Sequence, residues 1–493
     1  CALSKLHIPL WGSSEIAANL FESIYCLSSI RGFEDVTNIS NYAFYNCSGL
    51  TTASFPSVTS IGERVFTYCK NLTTASFPNV VNVGSMAFTY CTNLTTASFP
   101  NLVNIGTTNG GYGIFEQCNN LATAYFPVVV SIGNWAFGYC SGITQLTLPD
   151  SLQSIGDYAF YNCRGITQLT LPDSLQSIGN NAFYNCSCLT QLTLPDSLQS
   201  IGDYAFLSCS GITQLTLPDS LKSIGCEAFG YCSGITQLTL PDSLKSIGNY
   251  AFYYCSGITQ LTLPDSLQSI GDYAFLSCSG ITQLTLPDSL QSIGDYAFYN
   301  CSGITQLTLS DSLQSIGSYA FLSCRGITQL TLPDSLQSIG NYAFLSCSGI
   351  TQLTLPDSLQ SIGSYAFRYC SNLTQLTLPD SLQSIGGSAF AGTQITTLSI
   401  NSFSEITSIF SKLIGGGFGT GLLTNLNVII KQIQDDTTDT LIARVQEILT
   451  LTKSSNTILG KANLQCMLDV SATGITAASC PPITGDIDWQ IVY

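Results

Sequence analysis

Charge is scarce in this chain. Only 9% of its 493 residues are charged, with 14 Lys or Arg against 30 Asp or Glu and a net charge of −16. So few cations exclude nucleic acid as the main partner, because phosphate binding needs clustered Lys and Arg. There is a single histidine, His7, and in "LHIPLW" it reads as a packing residue. The repeat array holds no histidine and so no Ser-His-Asp set, and neither a phosphate loop nor a paired-carboxylate cleft stands out, so no catalytic residue is assigned and an enzyme is not expected. No C-x-x-C spacing occurs, which removes the usual zinc site, and no cofactor motif is present. No run of 18 or more apolar residues occurs, so no membrane-spanning helix is expected. No secretory signal is visible; export would make this a processed form. Disorder is excluded too, since hydrophobic residues reach 45% and recur periodically.

What is abundant is repetition. The stretch "ITQLTLPDSLQSIGDYAFYNCSG" (281–303) and its near-copies fill the chain from about Leu27 to Ile400. Fifteen of the 21 cysteines fall at one repeat position, from Cys47 and Cys69 through Cys163, Cys186 and Cys209 to Cys370. A secreted disulfide scaffold would not hold so strict a period over so long a chain, so this column reads as buried thiols, each behaving as a small hydrophobe. Early coils run at 22 residues, with one lengthened by "TTNGGYG" after Gly106, a surface loop. From Cys140 to Cys370 the period is 23. The extra residue lies where "FPSV" becomes "LPDSL", and it places an Asp in each later coil from Asp150 to Asp380.

One coil, 143–165, shows the local logic. Leu146 and Leu148 share one face of a short strand, with Gln145 and Thr147 on the other. Pro149 ends the strand, and Asp150 and Ser151 suit a turn held by local side-chain bonds. Gly156 allows a sharp bend or positive φ. Asp157 then stands at an N-cap position ahead of a short helical piece, "YAFYNC". A lone coil cannot bury its Leu, Ile and Phe; stacked in register, coils turn each position into a column. Sixteen Phe residues, Phe44 to Phe390, mark the count, which at roughly 4.8 Å per strand gives about 75–80 Å of stack.

The strand "LxxLxL" followed by "P-x-S-L-x-x-I-G-x-x-A-F-x-x-C" resembles the BspA-like leucine-rich repeats, over about 370 residues. That resemblance implies a fold class: an α/β repeat solenoid, a right-handed curved stack of about 16 coils with parallel strands and terminal caps. It also implies a surface or secreted protein tied to adhesion and to host or matrix binding. The later coils here are more alike than is usual in that family, which argues against a single tailored pocket.

The candidate binding face is the polar side of the strands: Gln145 and Thr147, Gln168 and Thr170, Gln191 and Thr193, and onward. It would suit a protein, a glycan or an extracellular matrix ligand; the plainer alternative is that Thr and Gln only solvate the sheet. The Asp column invites a calcium reading, but one carboxylate per coil falls short of six to eight oxygens, so no metal site is assigned. Residues 141–392 hold 15 Asp and one Glu against five Lys or Arg, a net of −11, which favours basic partners. Seven Asn-x-Ser/Thr sequons occur, among them Asn46, Asn185 and Asn300 directly before the cysteine column.

The ends depart from the repeat. Three regions are expected: an N-terminal cap (1–26), the solenoid (27–400) and a C-terminal mixed α/β cap or assembly domain (401–493). Cys1 with Cys26, and Cys466 with Cys480, are candidate cap disulfides, and Cys1 before Ala would also suit a lipidated N-terminus. In the C-terminal region Leu441, Ile442, Val445, Ile448 and Leu449 form a helical stripe with Asp439 as a cap, and Ile487 to Tyr493 reads as a short strand. Two functions compete: an extracellular or cell-surface adhesion module that uses the strand face, and a structural subunit that self-assembles into a filament or coat through its ends.

Overall fold

The computed structural model describes residues 14–31, 33–106 and 112–402, with the backbone of the strands Lys5–His7, Asn427–Gln432, Gln465–Asp469 and Gln490–Val492. It forms a parallel-strand β-solenoid of about 16 turns, in two compact units, 1–258 and 259–493. Each coil gives one three-residue strand and one two-residue strand, and each pairs in parallel with its equivalent one coil away. Gln145–Thr147 pairs with Gln168–Thr170 residue for residue, and Ser154–Ile155 with Ser177–Ile178. In the second unit Gln329–Thr331 pairs in the same register with Gln352–Thr354. Register is fixed because a slip of one residue would carry every inward Leu to the water side.

The described residues contain no helix, so the α/β expectation is not borne out in them. The piece read as helical, "YAFYNC", is a run of linked turns. Tyr158 and Asn162 both take φ of 57°, in the left-handed region, so no α-helix can pass through them. Their N–H groups leave the coil: Tyr158, Phe160 and Asn162 donate to Asn180, Ala182 and Tyr184 of the next coil at 2.7–2.8 Å. Asp157 is therefore no N-cap. Its Oδ1 accepts the backbone N–H of Asn180 in the next coil (2.7 Å), as Asn180 accepts that of Asp203 (2.8 Å). The turn serine behaves alike: Ser151 Oγ donates to Val129 O of the preceding coil (2.7 Å), where a local turn bond was expected, and Ser174 Oγ does the same to Leu152 O (2.6 Å). Gly156 does not take a positive φ. A Cβ there would sit 2.5 Å from Asn134 Oδ1 and 2.9 Å from Asn134 N, so close approach of the neighbouring coil requires glycine.

The core is a set of columns. In the first unit Phe21, Phe44 and every equivalent to Phe252 stack at 5.0–5.6 Å. In the second, Phe275 to Phe390 stack at 5.3 Å. The 22-residue coils add a second column, Phe33, Phe55, Phe77, Phe99 and Phe126, leaning against the first. Volume explains the exchange: from Ala53 to Phe126 these coils read Ala-x-Phe on the strand where the 23-residue coils read Leu-x-Leu. Each column cysteine is fully buried, and its thiol donates to the Phe carbonyl one coil back, as Cys163 does to Phe137 O (3.0 Å). Burial pushes the Cys163 thiol up to about 12.

The repeat also enters the segment assigned to the N-terminal cap. Glu15–Ile16 pairs with Asn38–Ile39, Phe21 stacks on Phe44, and Asn19 and Ser23 have the left-handed φ of the other coils. At the other end Asn427–Gln432, Gln465–Asp469 and Gln490–Val492 extend the parallel sheet beyond Thr397–Ser402. The helical stripe 441–449 lies outside the described residues.

Candidate functional site

The strand face is built by alternation. Leu169 is buried while Gln168 and Thr170, on either side of it, are exposed, and the same holds in coil after coil. Parallel pairing brings Gln145, Gln168 and Gln191 into one column and Thr147, Thr170 and Thr193 into another. All six are exposed. The face offers amide and hydroxyl donors and acceptors on a backbone fixed from below by the leucines. A shallow depression of about 330 Å³ lies between the first two coils of this set, lined by Gln145, Thr147, Asp150, Gln168 and Thr170 among others.

Sequence reasoning missed a second feature beside it. The strand Thr123–Tyr125 ends one sheet, and Gln145–Thr147 begins the next. Between them runs a groove of about 540 Å³, with Tyr125, Phe126 and Val128 on one wall and Thr147, Leu148 and Asp150 on the other. Tyr125 is 55% exposed and Val128 43%. This is where the last four-residue turn, "FPVV", meets the first five-residue one, "LPDSL". The added residue puts the two turns out of step, and Leu146, Leu148 and Pro149 are half-exposed there, as Leu192 and Leu194 are two coils on, while Leu169, Leu171 and Pro172 between them are buried. The signal was present as the change in period and as Tyr125 in place of the serine of earlier coils.

Chemistry is sparse elsewhere. Asp150 and Asp173 are exposed turn carboxylates, and no group of three His, Cys, Asp or Glu able to hold a metal exists among the described residues. Cys26 is disulfide-bonded, whereas Cys1 and Cys480 lie outside the described residues; Cys466 falls in the strand Gln465–Asp469. Off the column, Cys188 is an exposed free thiol and Cys226 a half-buried one. No helix among the described residues is long and apolar enough to cross a membrane.

A sequence profile described as "BspA type Leucine rich repeat region (6 copies)" matches residues 14–140, 108–236, 199–310 and 291–413. Among solved structures, a leucine-rich repeat protein of Bacteroides ovatus is 26% identical with a TM-score of 0.58, covering 77% of this chain and 91% of its own. A leucine rich cell surface protein of Faecalibacterium prausnitzii is 23% identical (TM-score 0.36, 58% and 81% covered). A T. pallidum leucine rich repeat protein is 28% identical (TM-score 0.33, 36% and 83% covered). No curated protein sequence matches the chain.

Proposed function

Because the chain belongs to the BspA-type leucine-rich repeat family, we propose that it is a non-enzymatic binding protein of the cell surface or extracellular space that meets its partner on the strand face. The observation carrying this is the pair of exposed, in-register columns of Gln and Thr, laid over buried or half-buried leucines and deepening into the groove beside Tyr125. A surface held this rigidly loses little conformational freedom when a partner lands on it, which favours binding. Its groups are neutral hydrogen-bonding ones, suited to a protein, a glycan or a matrix component, and its acidic surroundings disfavour polyanions.

The test is to immobilise the whole chain and present purified matrix proteins and a glycan array. Gln168→Arg, Thr170→Arg and Tyr125→Ala should each weaken the hit about tenfold or more, as loss of a well-packed contact does. Gln291→Arg, on the other strand side of a coil, should not. A panel without hits, together with regular polymers in electron micrographs, would replace this reading with the filament or coat subunit.

A further inference from the structure

Within the uniform block one coil breaks the pattern. Where neighbours read "GDYAFLSC" or "GNYAFYYC", this one reads "GCEAFGYC" (225–232). Two substitutions act together. Glu227 takes the place of the tyrosine at this repeat position, such as Tyr204, and Gly230 the place of Leu207. A Cβ at Gly230 would lie 2.1 Å from the Tyr253 ring, so the missing side chain is what lets Tyr253 lean across from the next coil. There its hydroxyl donates to Glu227 Oε2 (2.9 Å). Tyr253 meets Tyr231 edge-on (4.8 Å, planes 66° apart), and Tyr231 and Tyr254 stack in parallel (4.9 Å). Both outer rings are open to water, Tyr231 at 45% and Tyr254 at 43% exposure. On the other side of Tyr231 the column carries Ser208, which has no ring to cover it. A carboxylate and an open aromatic face thus stand on either side of one tyrosine. Among the described residues no Lys or Arg pairs with Glu227.

The chain itself indicates what such a place holds. Six coils on, the same repeat positions are Tyr365, Arg368 and Tyr369. The Arg368 guanidinium there lies over the Tyr369 ring at 4.5 Å and over Tyr365 at 5.1 Å. In an early coil Arg64 lies over Tyr42 at 5.6 Å. At Tyr231 the internal arginine is replaced by glycine and the second ring by a carboxylate, a pairing that fits a guanidinium arriving from outside. The net of −11 over residues 141–392 draws basic segments to this part of the chain.

We propose that Tyr231, Tyr254 and Glu227 form a docking site for an arginine side chain of a basic protein partner, on the turn face and independent of the strand face. The guanidinium lies on the Tyr231 ring and pairs with Glu227.

The test uses the whole chain with a tri-arginine and a tri-lysine peptide at physiological salt, read by calorimetry. The arginine peptide should bind several-fold more tightly. Tyr231→Ala and the isosteric Glu227→Gln should each weaken it about tenfold, the range of one desolvated cation–π contact or ion pair. Tyr231→Phe, which keeps the ring, should bind as the parent does and guards against a folding artefact. Equal binding of both peptides, or arginine binding untouched by Tyr231→Ala, would reduce the effect to general acidic attraction and overturn the proposal. So would a neutral glycan whose binding needs Tyr231 and ignores Glu227.

Discussion

Mild alkali should destabilise this protein by way of its cysteine column. Fourteen column thiols from Cys47 to Cys370 are pushed above their ordinary 9.0, chiefly by burial, Cys47 to about 11 and Cys163, Cys301 and Cys370 to about 12. Below pH 9 folded and unfolded chains both keep these protons, so stability does not depend on them. Above it the unfolded chain sheds protons that the folded chain retains. Stability therefore falls from about pH 9 until the folded thiols ionise, near 11 to 12 for those four. At pH 10 each of those four destabilises its coil by about 1–2 kcal/mol, roughly 5 kcal/mol together against a usual total stability of about 5–15 kcal/mol, and the other ten act in the same direction. The assay is urea unfolding by circular dichroism at steps between about pH 8 and 10, with the ultraviolet thiolate band followed in parallel. The band should appear only as the fold is lost. Replacing Cys163, Cys301 and Cys370 by Ala should remove about 4 kcal/mol of the loss at pH 10, each variant being referred to its own neutral-pH stability. A thiolate band rising near pH 9 with the fold intact, or stability flat across the range, would refute the reasoning.

Three further outcomes are expected. Phe183 is stacked on both faces at 5.1 Å and fully buried, so Phe183→Ala should cost about 4–5 kcal/mol and open a protease site at that coil, checked by denaturation and limited proteolysis. Gly156→Ala forces a Cβ against Asn134 at 2.5 Å and should cost about 1–3 kcal/mol, whereas a turn that merely needed flexibility would lose less than about 1 kcal/mol in the same denaturation. At neutral pH a maleimide should label Cys188 within minutes and Cys226 more slowly, with the column cysteines reacting only in denaturant; peptide mass mapping decides this.

Much of the architecture was legible because each repeat position recurs every 22 or 23 residues. Phe160, Cys163 and Leu169 announce their burial by repetition alone, and the outward Gln168 and Thr170 follow from period two. The turn segment was misread for a definite reason. "DYAFYNC" has the composition of a capped helical turn, but its backbone donors find carbonyls in the next coil, and that competition is invisible one coil at a time. Asp157, Ser151 and Gly156 were misassigned alike: each was given a local role, and each acts between coils. The groove at Tyr125 was half-legible, as a change of period whose physical outcome, two turns out of step, needed the neighbouring coils in place.

The sequence by itself determined the repeat unit, the identity of the core columns and the side of each strand that meets water, since these depend only on spacing along the chain and on which side chains avoid water. Tertiary structure alone decided where the polar backbone groups of the turns find partners, why glycine is required at Gly156, and how Glu227, Gly230 and Tyr253 combine into one site. Those contacts join residues about one coil apart in sequence, and their geometry exists only after one turn has settled on the next.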